Sequence, residues 1–585
     1  MKRSNLFFVL LCISTLTLNA QWTGSGTSSD PYQISTVNDL KALSSYVMND
    51  ADMGTNDTLK NTFNKSFKLM NDIDMTGITD FTPIGGFSAP KTNNNKKYFA
   101  GNFDGNNHKI NKLTLYLNGY DYVGFFGILK GSVSNLGLEK INIVGINNVG
   151  GLVAVATSNK SISNCYVTGS ISASKNTTSS NNVGGLVGTA TVNIFNSHFS
   201  GNIISNHSVN YGDGTLSGYI GGLVGTLKGT ISECYSTGSI SNITSGVSFN
   251  FVGGLIGMND YPSSISNSYS TMSITSQYSG FAAEQIGGIG GFCDGISLFN
   301  TYFSGTLNIN GNGDINSMVS IAGLVSGYPD SYVTISNSYF NGSMICNCTA
   351  SSDNLWIGGL SGGGTSVISN SYSSGSFQIQ TPKNSYIGGI AANVSTIENS
   401  YSAPQLFSLP QTSGSNYGIA TSSLGSTIRN TYYLDIPGFI GGKADTALVI
   451  QSENFMKSQE MINLLNKGQN APPWIHDTSN TNHGFPILSL ENNLFPMGME
   501  KIVSNELSIY PNPINLGTSI ELKIFNQETS EVSRCEIFDC TGSLISNNTL
   551  SSNIIPTDRI SNPGLYILKV ELKNGTYLTG KLLVK

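Results

Sequence analysis

Among the residues of this chain that could bind a ligand, tyrosine recurs at the most regular positions. An outward-facing column of tyrosines would offer an aromatic stripe to sugar rings or to a partner protein, whereas an inward-facing column would only extend the core. An asparagine lies two residues before every one of these tyrosines except Tyr235, where the residue is Glu233. A turn at this position can break the alternation of a strand, so both orientations stay open. Eight tyrosines share one position of a repeated phrase: Tyr166, Tyr235, Tyr269, Tyr302, Tyr339, Tyr372, Tyr401 and Tyr432.

Charged residues in the same stretch form no recognisable catalytic set. Between Gly150 and Asn430 there are five basic and nine acidic residues, and none recurs at one position of neighbouring repeats. A polysaccharide lyase would gather bases and acids on one face, and a glycosidase needs two facing carboxylates. No nucleophile elbow, phosphate loop or dinucleotide fingerprint is present in a strand–turn–helix context. No histidine pair has metal-ligand spacing, and the five histidines are His108, His198, His207, His476 and His483.

Two acidic clusters suggest calcium at first sight. They are Asp72-x-Asp74 and Asp104-Gly105-Asn106. A calcium loop of the EF-hand type needs further oxygen ligands and a glutamate at its twelfth position, and neither cluster has them. The sequence therefore predicts no catalytic, cofactor-binding or metal-binding residue.

The tyrosines belong to one of two phrases that alternate along the chain. One phrase is Gly-Gly-Leu-Val-Gly, as at 184–188 and 221–225, and the other is Ile-Ser-Asn-Ser-Tyr-Ser-Thr-Gly-Ser-Ile or a near variant. The first phrase returns every 32 to 37 residues, which indicates a solenoid or propeller. Such a repeat holds about three short strands and three turns, fewer than the four strands of a propeller blade. The pattern predicts an all-β chain folded as a right-handed parallel β-helix, or β-solenoid, with terminal caps.

Asparagine and glycine positions support this architecture. An asparagine tolerates the left-handed conformation of a tight turn, and amides stacked one coil apart can form a hydrogen-bonded ladder. Paired glycines let the backbone bend where Cβ atoms would clash. The asparagines fall at equivalent places, with Glu233 as the exception: Asn135, Asn164, Asn196, Asn267, Asn300, Asn337, Asn370, Asn399 and Asn430.

The glycine phrases resemble the GLUG motif of bacterial surface and secreted proteins. The clearest copies are residues 184–188 and 221–225, and Tyr122–Gly127 is a degenerate first copy. This resemblance implies a repeat architecture found in adhesin-like proteins and in non-catalytic parts of surface peptidases. It implies no catalytic residue.

The chain ends point to export. Lys2 and Arg3 precede an apolar segment and a small-residue exit at Ala20, which is the pattern of a secretory signal peptide. No later stretch is long enough to span a bilayer.

A net charge of −6 argues against nucleic acid as a partner. Cys165 and Cys234 are predicted core residues, whereas Cys346/Cys348 and Cys535/Cys540 could each bridge locally.

The last 80 residues resemble a type A sorting domain of the type IX secretion system. The resemblance is carried by Tyr510-Pro-Asn-Pro513, Pro563-Gly-Leu-Tyr566 and the closing Lys581-Leu-Leu-Val-Lys585. It implies recognition by the secretion machinery, transport across a bacterial outer membrane, and anchoring at the surface or release. Alternating strands and turn residues predict a small β-sandwich here.

The predicted organisation has six parts, and it leaves two functions open. The first function is a non-enzymatic adhesin that binds glycan or protein ligands, and the second is a β-helical polysaccharide-degrading enzyme with its site on loops 205–216 or 308–320. The parts are a signal peptide (1–20), an N-terminal cap with the first coils (21–121), a GLUG-repeat solenoid (122–436), a C-terminal cap (437–491), a linker (492–505) and the sorting domain (506–585).

Overall fold

The structure is a computed structural model, and the chain divides into two compact units, Met1–Leu494 and Phe495–Lys585. The described residues are 22–50, 60–87, 97–175, 181–208, 216–246, 248–280, 282–313, 318–328, 330–348, 355–380, 385–408, 415–422, 426–439, 449–489, 507–510, 514, 519–524, 532–539, 544–549, 554–557, 559–572 and 577–584. The signal peptide, the linker and Cys540 lie outside these residues.

The first unit is a parallel β-solenoid of about ten coils, as the repeats predict. Each strand pairs in parallel with its counterpart one repeat later, as Val149 with Val183 and Tyr166 with His198. A coil holds four strands rather than the three expected, because the glycine phrase bends the chain within one apolar run. The coil that begins at Val149 shows this order: Val149–Gly150, Val153–Ala156, Ser161–Ser163 and Tyr166–Lys175.

The strands stack into three sheets over the described residues. Sheet 1 leads into the paired glycines, and its strands are Val149–Gly150, Asn181–Gly184, Leu216–Gly221, Ser248–Gly253, Ala282–Gly287, Met318–Ala322, Leu355–Gly358, Ser385–Gly388 and Ser415–Tyr417. Sheet 2 follows the glycines and comprises Phe126–Leu129, Val153–Ala156, Val187–Ala190, Val224–Leu227, Ile256–Asn259, Gly290–Phe292 and Val325–Ser326, with a separate pair at Ala391–Asn393 and Ala420–Ser422.

Sheet 3 is the largest and carries the asparagine and tyrosine positions. Its strands are Tyr32–Ile34, Ser66–Leu69, Ile73–Asp74, Asn102–Asp104, Lys109–Asn111, Thr114–Tyr116, Ser132–Ser134, Gly137–Gly145, Ser161–Ser163, Tyr166–Lys175, Asn193–Phe195, His198–Ser208, Thr230–Ser232, Tyr235–Ser245, Ser263–Ser270, Ser273–Gly280, Ile296–Phe303, Thr306–Gly313, Tyr332–Ser336, Tyr339–Phe340, Ser343–Cys348, Thr365–Ser369, Tyr372–Ser373, Ser376–Gln380, Thr396–Glu398, Tyr401–Ser402, Gln405–Ser408, Thr427–Arg429, Tyr432–Leu434 and Val449–Gln451.

The paired glycines form the corner between sheets 1 and 2 because nothing larger fits there. A Cβ placed on Gly185 would lie 2.2 Å from the carbonyl oxygen of Gly222, and one on Gly222 would lie 2.0 Å from that of Gly254. The second glycines of successive coils therefore form a column in which each backbone touches the next.

The repeated asparagines turn the chain within sheet 3. They adopt left-handed φ angles, for example 53° at Asn164 and 41° at Asn196, and the interrupting Glu233 does the same at 57°. Their amides form the expected ladder, since Asn164 Nδ2 donates to Asn135 Oδ1 at 2.9 Å and Asn196 Nδ2 donates to Asn164 Oδ1 at 2.8 Å. The glutamate leaves the turn intact and interrupts the row of amides.

The N-terminal end of the solenoid is covered by the helix Val37–Met48. Thr36 caps it, with Thr36 Oγ1 accepting from Asp39 N and the Asp39 carboxylate accepting from Thr36 N. Leu40, Leu43 and Val47 are buried against the core, as the helical spacing predicts.

The segment 452–466 forms two short helices. They are Glu453–Met456 and Gln459–Leu465. The break occurs because the Ser458 hydroxyl accepts from Met461 N and starts a new helix. The antiparallel pair Trp474–Ile475 and Ile487–Leu488 completes this segment.

The second unit has two antiparallel sheets around its own core. One sheet contains Leu507–Tyr510, Ile520–Ile524 and Ile554–Ile555, and the other contains Val532–Phe538, Leu544–Thr549, Gly564–Leu572 and Tyr577–Val584. Ile520, Ile537, Leu568 and Leu582 are among its fully buried residues. This arrangement fits the small β-sandwich expected from the sequence.

Candidate functional site

The repeated tyrosines stack face to face into one continuous ladder. From Tyr166 through His198 to Tyr401, neighbouring ring centroids are 4.3 to 5.3 Å apart and neighbouring rings are within 9° of parallel. His198 takes the tyrosine position of its coil, as the sequence predicts. The strand pairing produces this stack because it places equivalent residues about one strand spacing, roughly 4.8 Å, apart.

The ladder faces away from the main core. The next residue in each strand, for example Val167 or Phe199, is fully buried in that core, so the preceding aromatic ring points outward. Most ring faces in the ladder are covered by the neighbouring rings. An aromatic ring attracts a sugar through its face, so the flat stripe for sugars anticipated from the sequence is not what the ladder presents. It presents ring edges and hydroxyl groups instead.

The C-terminal cap lies along the ladder and covers its last rungs. Trp474 packs 6.1 Å from Tyr372 and 5.4 Å from Tyr401, and Phe485 packs 6.4 Å from Tyr401, measured between ring centroids. The Tyr401 hydroxyl donates to Pro486 O at 2.6 Å. These tyrosines form a second core together with the cap: Tyr339, Tyr372, Tyr401, Tyr432, Met456, Met461, Ile462, Leu465, Trp474, Phe485 and Leu488.

The earlier rungs, from Tyr166 to Tyr269, are not part of the core that the cap forms. Tyr166, His198 and Tyr269 are half-buried, Tyr235 is 7% exposed, and Tyr302 lies at the edge of the covered part. Burial raises the pKa of Tyr269 to about 12, so its hydroxyl is protonated at neutral pH. Burial lowers the pKa of His198 to about 4, so its ring is neutral there. This half of the ladder is therefore an uncharged aromatic surface.

Hydroxyl and amide side chains border the uncovered rungs. Thr237 Oγ1 donates to Ser200 Oγ at 2.8 Å, and Ser239 Oγ donates to Asn202 Oδ1 at 2.8 Å, each across one coil. At the first rung, the Tyr166 hydroxyl donates to Glu139 Oε1 at 2.8 Å. We define the uncovered ladder as Tyr166, His198, Tyr235 and Tyr269, the rungs that are not part of the core formed with the cap.

Replacing Trp474 by alanine should release the cap from the ladder. Trp474 is 2% exposed, and removal of a buried tryptophan costs about 3 kcal/mol or more. We expect new protease cleavage within residues 449–489 of Trp474→Ala, mapped by mass spectrometry. Phe299→Ala removes a ring that is 44% exposed and is the matched control. Equal resistance of Trp474→Ala and wild type to the protease would contradict this role of Trp474.

The acidic residues of the repeats are dispersed. Asp260 pairs with Lys228, Glu398 with Arg429, and Asp294 accepts from Tyr332 N at 2.9 Å. Glu284 is fully buried inside the solenoid, where Asn250 and Ser276 donate to it. Each of these four acids thus contacts a basic group or a hydrogen-bond donor. Asp213, Asp314 and Asp353 lie outside the described residues.

The loops proposed for an enzyme site are shorter than the sequence suggests. Residues 205–208 continue the strand His198–Ser208, and residues 308–313 continue Thr306–Gly313. Both extensions are paired with the neighbouring coil, as Ser208 with Ser245 and Asn308 with Thr275, which explains why they remain strand. Residues 209–215 and 314–317 lie outside the described part.

The acids considered for calcium are engaged elsewhere. Asp72 contacts His108 Nδ1 at 3.1 Å, Asp74 accepts from Thr76 Oγ1 at 2.5 Å, and Asp104 accepts from Asn135 Nδ2 at 2.9 Å. Among the described residues, no three His, Cys, Asp or Glu side chains are grouped as metal ligands would be.

The cysteines of the repeats are buried. Burial raises the pKa of Cys165 and of Cys234 to about 12, which fits the predicted core role of both. Cys346 and Cys348 face the interior from one strand, with their Sγ atoms 2.7 Å apart. Cys535 is buried in the second unit.

Sequence reasoning missed a lysine-bearing groove at the N-terminal end of the solenoid. Its lining residues come from four separate segments, around Asn64, Asn102, Lys130 and Lys160. None of these residues belongs to the two repeated phrases.

Comparison with known proteins identifies the C-terminal unit. Residues 508–585 match the secretion system C-terminal sorting domain. The protein is exported across the outer membrane. The sorting domain indicates interaction with the type IX secretion machinery and delivery to the cell surface or the extracellular space. In the described part of the chain, no helix has both the length and the apolar character of a membrane span.

Two further proteins are similar to part of this chain. Over 156 residues, 26% of this chain, the sequence is 29% identical to halomucin of Haloquadratum walsbyi, and the match spans 2% of that protein. A crystal structure of a candidate immunoglobulin A1 protease from Bacteroides ovatus is similar over 80% of this chain and 94% of that chain, with 18% identity and a TM-score of 0.31.

Proposed function

We propose that this protein is a non-enzymatic, adhesin-like surface protein whose uncovered ladder binds a polypeptide ligand. The cap carries this proposal, because it already occupies the covered rungs of the same ladder. Its binding residues are aromatic and aliphatic, with a few hydrogen bonds to tyrosine hydroxyls. A partner segment with the same chemistry would continue that interface onto Tyr269.

The shape of the ladder favours a protein over a neutral glycan as its ligand. Stacked rings offer edges, which pack against other aromatic faces in the T-shaped or tilted geometry that Trp474 adopts. Sugars stack on ring faces, and the neighbouring rungs occupy most of these. Tyrosine is also enriched at protein–protein contacts because it combines an apolar ring with a polar hydroxyl.

The domain assignment is part of the same proposal. The repeats at 122–436 are of the GLUG type and serve as a rigid scaffold between a cap at 21–121 and a second cap at 437–491. A signal peptide at 1–20 directs the chain to the periplasm. The linker at 492–505 joins this scaffold to the sorting domain at 506–585.

A matched pair of tyrosine substitutions tests the ladder. Tyr269→Ser removes an uncovered rung, whereas Tyr116→Ser removes a tyrosine that is 72% exposed and lies outside the ladder. Biolayer interferometry against immobilised collagen, fibronectin and mucin should find a bound protein for the wild type. We expect Tyr269→Ser to weaken that binding at least tenfold, as loss of a central aromatic contact does. Thermal unfolding of each variant verifies that the fold is retained.

Turnover distinguishes this proposal from the polysaccharide-degrading alternative. The purified chain is incubated with plant, algal and host polysaccharides, and reducing ends and unsaturated products are measured. Release of either product would reject the non-enzymatic proposal. Equal binding by Tyr269→Ser and Tyr116→Ser would reject the ladder as the binding surface.

A further inference from the structure

A groove opens where the first coils of the solenoid meet, away from the tyrosine ladder. Phe63 and Asn64 line one part of the groove, and Asn102 lines a second part. Lys130 and residues 157–160 line the rest of it. Its volume is about 370 Å³. Sites for small ligands span roughly 300 to 1,000 Å³, so the groove is large enough for one.

The groove carries two ammonium groups in different settings. The Lys130 ammonium lies 4.1 Å from the centroid of the Tyr98 ring, and Lys60 lies 4.8 Å from the same centroid. This cation–π packing holds the Lys130 side chain in place. The Lys160 side chain is exposed at the other part of the groove wall. One ammonium is thus positioned in advance, and the second is free to adjust to a ligand.

The surrounding chain is strongly basic for this protein. Residues 60–160 contain eleven lysines and six acidic residues, whereas the whole chain has a net charge of −6. None of the six carboxylates lines the groove. Four of them contact basic side chains elsewhere: Asp72 with His108, Asp74 with Lys112, Asp80 with Lys41, and Glu139 with Lys109.

The other lining groups are suited to a sugar. Asn64, Asn102 and Asn159 provide amides, residues 157 and 158 provide hydroxyls, and Phe63 provides an aromatic ring. Asn102 Oδ1 already accepts from Ser132 Oγ at 2.8 Å, so that amide is oriented. Amides and hydroxyls match the hydroxyl groups of a saccharide, and the ammonium groups require an acidic substituent on it.

We propose that this groove binds an anionic saccharide, namely a sugar unit that carries a carboxylate or a sulfate group. The site shares no residue with the ladder and does not depend on the ligand proposed for it. The protein would then attach to an acidic polysaccharide at one end of the solenoid and to a polypeptide along its side.

Three polysaccharide probes test the groove: polygalacturonate for carboxylate, dextran sulfate for sulfate, and dextran as the uncharged control. Binding to the purified chain is measured by biolayer interferometry at 50 and 200 mM NaCl. We expect binding to at least one polyanion, no binding to dextran, and at least threefold weaker binding at the higher salt concentration. Binding to only one polyanion identifies the acidic group.

A charge-matched pair of variants locates the site. Lys160→Gln should weaken polyanion binding about tenfold, and Lys160→Arg should retain it. Lys140→Gln removes the same charge from an exposed side chain that does not line the groove, so it should bind like the wild type. Tyr269→Ser should also bind normally, which separates this test from that of the ladder. Equal losses in Lys160→Gln and Lys140→Gln, absence of binding to both polyanions, or equal binding to dextran would overturn the proposal.

Discussion

Replacing Glu284 by glutamine should remove a large pH dependence from the stability of the solenoid. Glu284 is fully buried, and burial raises its pKa from 4.5 to about 8, although hydrogen bonds from Asn250 and Ser276 oppose the shift. The unfolded chain loses this proton near pH 4.5, whereas the folded chain keeps it until about pH 8. Stability therefore falls as pH rises between these two values.

The expected effect is large because the two pKa values lie far apart. Each pH unit in which only the unfolded state is ionised costs about 1.4 kcal/mol, so the loss between pH 4.5 and pH 8 amounts to roughly 4 to 5 kcal/mol. Glutamine keeps the shape and the acceptor for Asn250 and has no proton to lose. Glu284→Gln should thus match the wild type near pH 4.5 and exceed it above pH 8.

Urea unfolding at pH 4.5, 6.5 and 8.5 measures this difference. Glu398→Gln removes a surface carboxylate and is the matched control. We expect its stability to have the same pH dependence as that of the wild type. Parallel pH profiles for the wild type and Glu284→Gln would show that the buried carboxyl group does not govern stability.

Replacing Gly222 by alanine should be among the most damaging single changes in the repeats. The new Cβ would lie 2.0 Å from the Gly254 carbonyl oxygen, which belongs to the backbone of the next coil and cannot rotate away. Relief requires the two coils to move apart at the corner, which would break the hydrogen bond from Gly222 N to Gly253 O. We expect a loss of about 4 kcal/mol or more.

Gly77→Asn is the control for this substitution. Gly77 has a φ of 76°, which asparagine tolerates, and a Cβ there meets no atom within 4 Å. We expect it to change the unfolding free energy by less than about 1 kcal/mol. Hydrogen exchange should show faster exchange in the coils that contain Gly222 and Gly254 for the alanine variant alone. Wild-type exchange in Gly222→Ala would disprove the packing argument.

The repeat architecture was predictable from sequence because local conformation specifies it. The asparagine of each coil favours a left-handed turn. Because the turn recurs in every coil, the residues that flank it occupy the same strand positions from coil to coil. Paired glycines mark the corner for the same reason, since only glycine avoids the backbone of the next coil.

The sequence alone could not show which segments cover each face of the solenoid. The tyrosine column was visible as a pattern, but its orientation depends on how the asparagine turn sets the following strand, and its covering depends on Trp474 and Phe485 from a segment that folds back. The lysine groove is a clearer case, since Asn64, Lys130 and Lys160 meet only after two coils have closed.

The sequence by itself thus determined the solenoid, its turns and the sorting domain, because repeated local preferences and ordered motifs encode them. The tertiary structure decided which rungs of the ladder the cap covers, where the basic side chains gather and which carboxyl group is buried. These properties arise from contacts between segments far apart in the chain, and no local pattern specifies such contacts.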